Sequence, residues 1–228
     1  MKISIVVLIY KSTEYADFIY NQVKKYTPEE HEFFFVANDA TNEVKKHLRM
    51  KGYPYKEFFK IDNCTHYLQQ VYAAWNFGVA SAEGDIVVLL NSDMGLSKDW
   101  LSNLLKWVTP NNAISSRLIE SGRMPSGTHA LSLELGMTPT NYQEEKFIEI
   151  VEKIKQDRIK EGGLYSPVAF YRNTFLTGGG YPHGNLIINN IIVPGDILFW
   201  TFMKTRGIIH YTAFDSIVYH FQEGEMRA

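Results

Sequence analysis

Runs of apolar residues bounded by turn residues recur in the first half of the chain. The clearest run, residues 86–90, lies between Gly84-Asp85 and Asn91-Ser92-Asp93. A continuous apolar run of this length is typical of a strand that is buried on both faces of a sheet. The same kind of pattern predicts three further strands, at residues 3–9, 32–37 and 54–61.

Segments with apolar residues at helical spacing lie between these strands. Ser12 or Thr13 can cap the first predicted helix, which stops before Pro28. Further helices are predicted at residues 42–50, 65–82 and 98–108. Strands and helices that alternate with short links are typical of an α/β protein whose mostly parallel sheet is covered on both faces by helices.

Three of the predicted strands end in polar loops, at residues 10–12, 38–41 and 91–93. Because parallel neighbouring strands end at the same edge of a sheet, we expect these loops to lie close together. Ligands of open α/β sheets bind just outside the carboxyl ends of the strands. The sequence therefore predicts a binding site at this edge.

The second half of the chain has a less regular pattern. Residues 112–119 predict a strand, whereas residues 120–140 are rich in Gly, Ser, Thr and Pro without clear periodicity. Apolar residues among alternating charges predict an amphipathic helix over residues 143–160. The other predicted elements are a strand or strand pair at 167–176, a helix at 197–204 and a strand at 216–221. Because no linker separates two parts, we expect a single domain over residues 1–228.

Composition narrows the class of protein. The chain has 228 residues, of which 45% are apolar and 21% are charged, as in ordinary globular proteins. The formal net charge of -2 offers no basic field for binding nucleic acid. The single cysteine, Cys64, fits a reducing compartment, and no apolar segment approaches the roughly 20 residues of a membrane span. We therefore expect a cytoplasmic protein without a transmembrane segment.

The polar residues after the strand at 86–90 suit a divalent cation. Asp93 supplies a carboxylate beside Asn91 and Ser92, and hard cations bind such oxygens together with those of a phosphate group. The alternative is a strand-to-helix turn, in which Asp93 or Ser97 helps to cap the helix that follows.

Asp196 and His220 each allow a structural and a functional interpretation. Asp196 stands where an N-cap aspartate belongs, but it can act as a general base if its side chain points into a cleft. His220 lies near the end of the last predicted strand, where a histidine is either a structural residue or a metal ligand. The glycines at 178–180 let the backbone approach a ligand, although they match neither a dinucleotide fingerprint nor a P-loop.

Seven motifs in the same order along the chain resemble those of glycosyltransferase family 2, which has the GT-A fold. Asn91-Ser92-Asp93 resembles the family's Asp-x-Asp motif, and Gly195-Asp196 resembles its Glu-Asp pair. The resemblance covers most of the chain and is weakest over residues 110–165. The other motifs are Val6-Val7-Leu8-Ile9-Tyr10-Lys11-Ser12, Ala37-Asn38-Asp39-Ala40-Thr41, Trp75-Asn76-Phe77-Gly78-Val79-Ala80, Phe170-Tyr171-Arg172 to Gly179-Gly180-Tyr181, and Tyr219-His220.

The resemblance implies a Rossmann-like GT-A fold, with residues 1–109 binding the nucleotide and residues 110–228 binding the acceptor. It implies that a sugar moves from a nucleoside diphosphate donor to a glycan or other hydroxyl acceptor, with inversion and with help from Mn²⁺ or Mg²⁺. Asp93 and His220 would bind the metal, and Asp196 would take the proton from the acceptor hydroxyl. The resemblance places Ile9, Tyr10, Asn38, Asp39, Asn76, Ser92 and Asp93 at the nucleotide, and Gly179, Gly180 and Tyr181 on the acceptor side.

Four positions depart from the family pattern. Asn91 and Asn38 each replace an acidic residue, Trp75 replaces an arginine, and Gly195 replaces a glutamate. A relative that binds a nucleotide or glycan without catalysis is therefore an alternative. A sugar nucleotidyltransferase would need a glycine-rich phosphate loop after the first strand, and Tyr10-Lys11-Ser12-Thr13 contains no glycine.

Overall fold

The structure is a computed structural model that describes residues 1–184, 187–188, 191–222 and 224. The helices are α1 (Thr13–Tyr26), α2 (Asn42–Lys51), α3 (Tyr67–Ser81), α4 (Trp100–Leu105), α5 (Glu144–Ile154), α6 (Arg172–Thr177) and α7 (Gly195–Thr205), with a 3-10 turn at Pro139–Asn141. The strands are β1 (Ile3–Ile9), β2 (Glu32–Asn38), β3 (Tyr55–Phe58), β4 (Ile86–Asn91), β5 (Met94–Leu96), β6 (Asn112–Glu120), β7 (Leu131–Ser132), β8 (Ile159–Glu161), β9 (Val168–Tyr171), β10 (Ile187–Ile188), β11 (Ile191–Ile192) and β12 (Ile209–His220).

One large sheet runs through both halves of the chain. Its strand order is β3-β2-β1-β4-β9-β6-β12-β5, with β7 beside β6 and β8 beside β12. Strands β1 to β4 pair in parallel, as do β6 and β12, while β9 runs antiparallel between β4 and β6. Because two reversals cancel, β6 and β12 point the same way as β1, β2 and β4. The prediction of a mostly parallel sheet is confirmed.

Helices cover the two faces of this sheet and enclose two apolar cores. Alternate residues of β4 divide between the two cores: Val88 belongs to the core that contains residues of α1, α2, α4 and α5, whereas Leu89 belongs to the core that contains residues of α3, α6 and α7. Ser12 and Thr41 cap α1 and α2 with their side-chain oxygens, as is usual where a strand turns into a helix. The apolar runs are therefore buried on both faces, as their patterns predict.

Three predictions of local structure are wrong. The predicted helix at 143–160 ends at Ile154, because residues 159–161 form β8 against β12. The predicted strand at 167–176 ends at Tyr171 and continues as α6. The loop at 91–93 leads into β5 rather than a helix, and the residue before α4 is Asp99, so neither Asp93 nor Ser97 is its N-cap. Tertiary strand pairing overrides the local pattern at β5 and β8.

A buried histidine, His210, lies near the start of β12. His210 is 6% exposed, its Nε2 lies 2.9 Å from the Ser115 hydroxyl, and its Nδ1 has no hydrogen-bond partner among the described residues. Burial disfavours the charged imidazolium and lowers the pKa of His210 to about 3. The folded protein therefore holds this imidazole neutral.

We expect acid to destabilise the protein through His210. The unfolded chain protonates this side chain below about pH 6.5, whereas the folded protein keeps it neutral down to about pH 3. The free energy of unfolding is therefore unaffected by His210 above pH 6.5 and falls as the pH drops from 6.5 toward 3. Between pH 6.5 and 4, the wild type should lose roughly 3 kcal/mol more of its free energy of unfolding than His210→Gln, measured by urea unfolding. A His31→Gln control, whose imidazole is partly exposed, should behave like the wild type. Equal losses in the wild type and His210→Gln would contradict the prediction.

Candidate active site

A cleft of about 920 Å³ lies at the carboxyl edge of the sheet, where β1, β2, β4 and β12 end. Parallel strands bring residues that are far apart in the sequence to this edge. The cleft is lined by most of the predicted donor-site and metal-site residues: Ile9, Tyr10, Asn38, Asp39, Ser92, Asp93 and His220. Asn76 is the predicted donor-site residue that does not line it.

One end of the cleft is formed by the residues after β1 and β2. Asn38 is buried, and its Oδ1 accepts a hydrogen bond of 2.8 Å from Nε2 of Gln70 on α3. Asp39 follows with a positive φ of 47° and an exposed side chain, and its backbone N–H donates to the carbonyl of Phe58. The Tyr10 side chain is 46% exposed at the same end. An amide, a carboxylate and an aromatic ring therefore line this end of the cleft.

The other end contains a chain of three charged groups. His220 Nε2 lies 3.2 Å from Asp93 Oδ2, and His220 Nδ1 lies 3.4 Å from Glu120 Oε1. The side chain of Glu120 is almost completely buried. The sequence analysis did not identify Glu120, although it directly follows the predicted strand at 112–119, as Asp93 follows the strand at 86–90.

The neighbouring groups change the pKa of His220 and of Glu120. Burial disfavours charge on His220, but the charges and hydrogen bonds of Asp93 and Glu120 outweigh it and raise the pKa of His220 to about 10. Burial would raise the pKa of Glu120, but hydrogen bonds from His220 and the Gly127 N–H lower it. Without a bound metal, His220 is therefore a cation between two carboxylates.

Asp93 and His220 fit a divalent cation as part of its ligand shell. Within the described residues, no three His, Cys, Asp or Glu side chains form a complete cation site. The 3.2 Å between Asp93 Oδ2 and His220 Nε2 is close to the roughly 3 Å that separates adjacent ligands of an octahedral ion with bonds of about 2.1 Å. Imidazole and carboxylate are both ligands of first-row divalent metals. The other ligands would have to come from phosphate oxygens and water.

Asp196 lines a second cavity, of about 160 Å³. This cavity adjoins the cleft, and Val71, Trp75 and Asn91 line both. Asp196 is in the first turn of α7 and does not serve as its N-cap, which is Pro194. The hydroxyl of Tyr72 donates a hydrogen bond of 2.8 Å to Asp196 Oδ1. Burial raises the pKa of Asp196 above its ordinary value. Asp93 and Asp196 are thus in neighbouring cavities on the same side of the molecule.

Two of the predicted acceptor-side residues, Gly180 and Tyr181, lie against Asn76. The Asn76 amide donates to the carbonyl of Tyr181 and accepts from the Tyr181 N–H, both at 2.8 Å. A Cβ at Gly180, whose φ is 71°, would lie 2.7 Å from Asn76 Oδ1, so only glycine fits there without displacing that side chain. Tyr181 lines the second cavity, whereas Gly179 and Gly180 do not. Asn76 thus holds the turn that positions Tyr181, instead of lining the cleft.

A comparison with known protein families identifies the family of this chain. A family model described as glycosyl transferase family 2 matches residues 4–175. The chain belongs to glycosyltransferase family 2. The family that the sequence motifs predicted is confirmed, whereas a search of curated proteins found no significant match.

Two solved structures support the fold class of this family 2 chain. A Pyrobaculum calidifontis mannosyltransferase, PcManGT, in complex with GDP-Man and Mn²⁺ is 14% identical, with a TM-score of 0.62, over 96% of this chain and 56% of that one. S. aureus TarS, residues 1–349, is 15% identical, with a TM-score of 0.52, over 93% of this chain and 60% of that one. The predicted α/β fold of the GT-A type is confirmed. The chain spans less than two thirds of either structure.

No helix in the described part of the chain is both long and apolar enough to cross a membrane. The cytoplasmic location and the division at residues 109 and 110 stay predictions. The sheet crosses that division, since β6, β9 and β12 belong to the same sheet as β1, β2 and β4.

Proposed function

We propose that this protein is an inverting glycosyltransferase that moves a sugar from a nucleoside diphosphate donor to an acceptor hydroxyl. One observation carries the proposal: the cleft that Asp93 and His220 line adjoins the cavity that contains Asp196. A leaving diphosphate and a base for the acceptor would then lie on either side of one reacting carbon. The proposal is that the two cavities together form the active site.

The donor would lie with its nucleoside at Tyr10, Asn38 and Asp39 and its diphosphate toward Asp93. Mn²⁺ or Mg²⁺, held by Asp93 and His220, would neutralise the charge that develops on the leaving diphosphate. The structure of PcManGT, which contains GDP-Man and Mn²⁺, supports a nucleotide sugar and a divalent metal as ligands for this fold.

Asp196 would act as the general base. Its carboxylate would accept the proton of the acceptor hydroxyl while the acceptor oxygen bonds to the anomeric carbon and the carbon–oxygen bond to the diphosphate breaks. Attack opposite to the leaving group inverts the anomeric centre. The Tyr72 hydroxyl would orient the carboxylate through its hydrogen bond to Oδ1.

The walls of the second cavity favour an uncharged acceptor. Tyr72, Tyr165 and Tyr181 line it together with Trp75, and its described lining residues include no Lys or Arg. A phosphate acceptor would meet the carboxylate of Asp196 without a compensating cation. A sugar ring can pack against aromatic rings and offer a neutral hydroxyl, so a glycan hydroxyl is the proposed acceptor.

A catalytically silent binding protein is the second candidate, because Gly195 replaces an acidic residue of the family pattern. Packing accounts for this departure: a Cβ at Gly195 would lie 2.4 Å from the carbonyl oxygen of Pro182 and 2.9 Å from the ring of Tyr72. Gly195 thus permits the close approach of α7 to Tyr72, the hydrogen-bond partner of Asp196. The departure at Gly195 therefore has a packing explanation and coexists with the hydrogen bond between Tyr72 and Asp196.

Nucleoside diphosphates should stabilise the protein when Mn²⁺ is present. A ligand that binds only the folded state at about 100 times its dissociation constant adds about 2.7 kcal/mol of stability. For a chain of this length, that raises the melting temperature by roughly 5–10 °C. The measurement is a thermal-shift panel of UDP, GDP, dTDP and ADP with Mn²⁺, Mg²⁺ or EDTA.

The corresponding nucleosides with Mn²⁺ are the matched control, because they lack the diphosphate and should give a much smaller shift. If none of the diphosphates raises the melting temperature with either metal, the proposed donor class is wrong. If a diphosphate binds but its sugar conjugate is never turned over with any glycan acceptor, the silent relative is favoured.

A further inference from the structure

Glu120 is a buried acidic residue beside the cleft but outside its lining. It is 3% exposed at the end of β6, directly opposite His220 in the parallel pairing of β6 with β12. Asp93 and His220 line the cleft, whereas Glu120 does not. A ligand in the cleft would therefore meet Glu120 only through His220.

The two carboxylate oxygens of Glu120 have different partners. Oε1 lies 3.4 Å from His220 Nδ1, and Oε2 accepts a hydrogen bond of 2.9 Å from the Gly127 N–H. The bond from the Gly127 N–H holds the carboxylate in place. The contact of Oε1 with His220 Nδ1 can therefore fix the plane of the imidazole ring. Backbone pairing also holds this region, because the Ser121 N–H donates to the carbonyl of His220.

The loop that holds Glu120 is itself tied to the chain after β12. Gln222 has a positive φ of 56°, and its Oε1 accepts from the Met124 N–H at 3.0 Å. Met124 lines the cleft. The contact of Glu120 with His220 and the bond between Gln222 and Met124 thus both connect the end of β6 to the end of β12.

We propose that Glu120 is a positioning residue, which holds the His220 ring so that Nε2 faces Asp93 and the diphosphate end of the cleft. A histidine that presents one ring nitrogen to a ligand is commonly oriented by a carboxylate at the other, and loss of such a partner lowers metal affinity about 10- to 100-fold. This inference rests on the proposed function. Glu120 would act through His220 without touching the donor.

The test compares Glu120→Gln and Glu120→Asp with the wild type. Glu120→Gln retains the shape of the side chain but removes its charge. Glu120→Asp retains the charge on a side chain that is one methylene shorter, so the carboxylate lies farther from His220. Mn²⁺ affinity is measured by electron paramagnetic resonance with UDP and, separately, with GDP. The ring-proton signals of His220, assigned with His220→Gln, are followed by NMR without metal. We expect Mn²⁺ affinity about 10- to 100-fold weaker in Glu120→Gln, with shifted His220 signals.

Glu32→Gln is a matched control. Its carboxylate also accepts hydrogen bonds, from the Ser4 hydroxyl and the Glu83 N–H, but at the amino end of β2. It should leave Mn²⁺ affinity and the His220 signals unchanged. Wild-type Mn²⁺ affinity and wild-type His220 signals in both Glu120 variants would overturn the inference. If the wild type itself binds neither Mn²⁺ nor the diphosphates, the proposed donor site fails, and the His220 signals alone decide whether Glu120 positions the ring.

Discussion

Asp196→Asn should lower the rate of sugar transfer by about 10²- to 10⁴-fold, the usual contribution of a general base. The asparagine amide has nearly the same shape but cannot accept the proton of the acceptor hydroxyl. Asp196 lines the second cavity and not the cleft in which the donor is proposed to bind. If the base acts only on the acceptor, the affinity for the nucleoside diphosphate should therefore stay within about twofold of the wild type. Transfer is measured by mass spectrometry of the product, and binding by calorimetry.

Asp99→Asn is the control for this variant, since Asp99 also stands at a helix start but is exposed and makes no side-chain cap hydrogen bond. It should transfer sugar like the wild type. Wild-type turnover in Asp196→Asn would remove Asp196 as the base. A parallel loss of donor binding and turnover would instead indicate that Asp196 supports the structure of the cleft.

The pH dependence offers a second test of Asp196. Burial raises its pKa, and a base must be deprotonated to act, so transfer should rise as the pH increases through that pKa. The Tyr72 hydroxyl lowers the pKa by donating to the carboxylate. Tyr72→Phe should therefore move the acidic limb of the profile to higher pH. An unchanged limb would show that another group controls it.

Asp93→Asn should remove the effect of Mn²⁺ on donor binding and lower transfer on the order of 10²-fold or more, because a metal ion contributes several kcal/mol of charge stabilisation at the leaving group. Asparagine retains a neutral oxygen but loses the charge that would hold the cation. The diphosphate affinity of the variant in Mn²⁺ should fall to that of the wild type in EDTA, as measured by calorimetry.

Asp85→Asn provides the matched control at the other end of β4. Asp85 precedes β4 at the opposite edge of the sheet, where its carboxylate accepts a hydrogen bond from the Lys2 N–H. Its removal should leave the metal dependence intact. If Mn²⁺ strengthens diphosphate binding in Asp93→Asn as much as in the wild type, Asp93 is not the metal ligand.

The buried strands were the most predictable part of the fold. β1, β2 and β4 are continuous or nearly continuous apolar runs. A strand with apolar side chains on both faces is stable in water only when helices or other elements cover both faces, so such runs indicate central strands of a covered sheet. β5 and β8 could not be predicted, because each has three residues and exists through its pairing with β12. The helical interpretation of residues 155–160 failed for the same reason.

The candidate site was predictable in part. Asp93, Asn38 and Tyr10 each mark a switch from apolar to polar residues at a strand end, which is a local signal. Asn76 has no such signal for its role, because its two bonds to Tyr181 span 105 positions. The glycine at 195 is explained only by its closeness to Tyr72 and Pro182.

The sequence by itself determined which segments are buried strands and which polar residues follow them, because both depend on neighbouring residues. The tertiary structure decided which of those residues meet. Asp93 contacts His220, and His220 contacts Glu120, because β5 and β6 flank β12. The start of β5, which directly follows Asp93, and the end of β6 at Glu120 both pair with His220. The cavity of Asp196 adjoins the cleft because α7 packs against α3, whose Val71 and Trp75 line both. Strand order and helix packing depend on contacts across the whole chain, which no local pattern specifies.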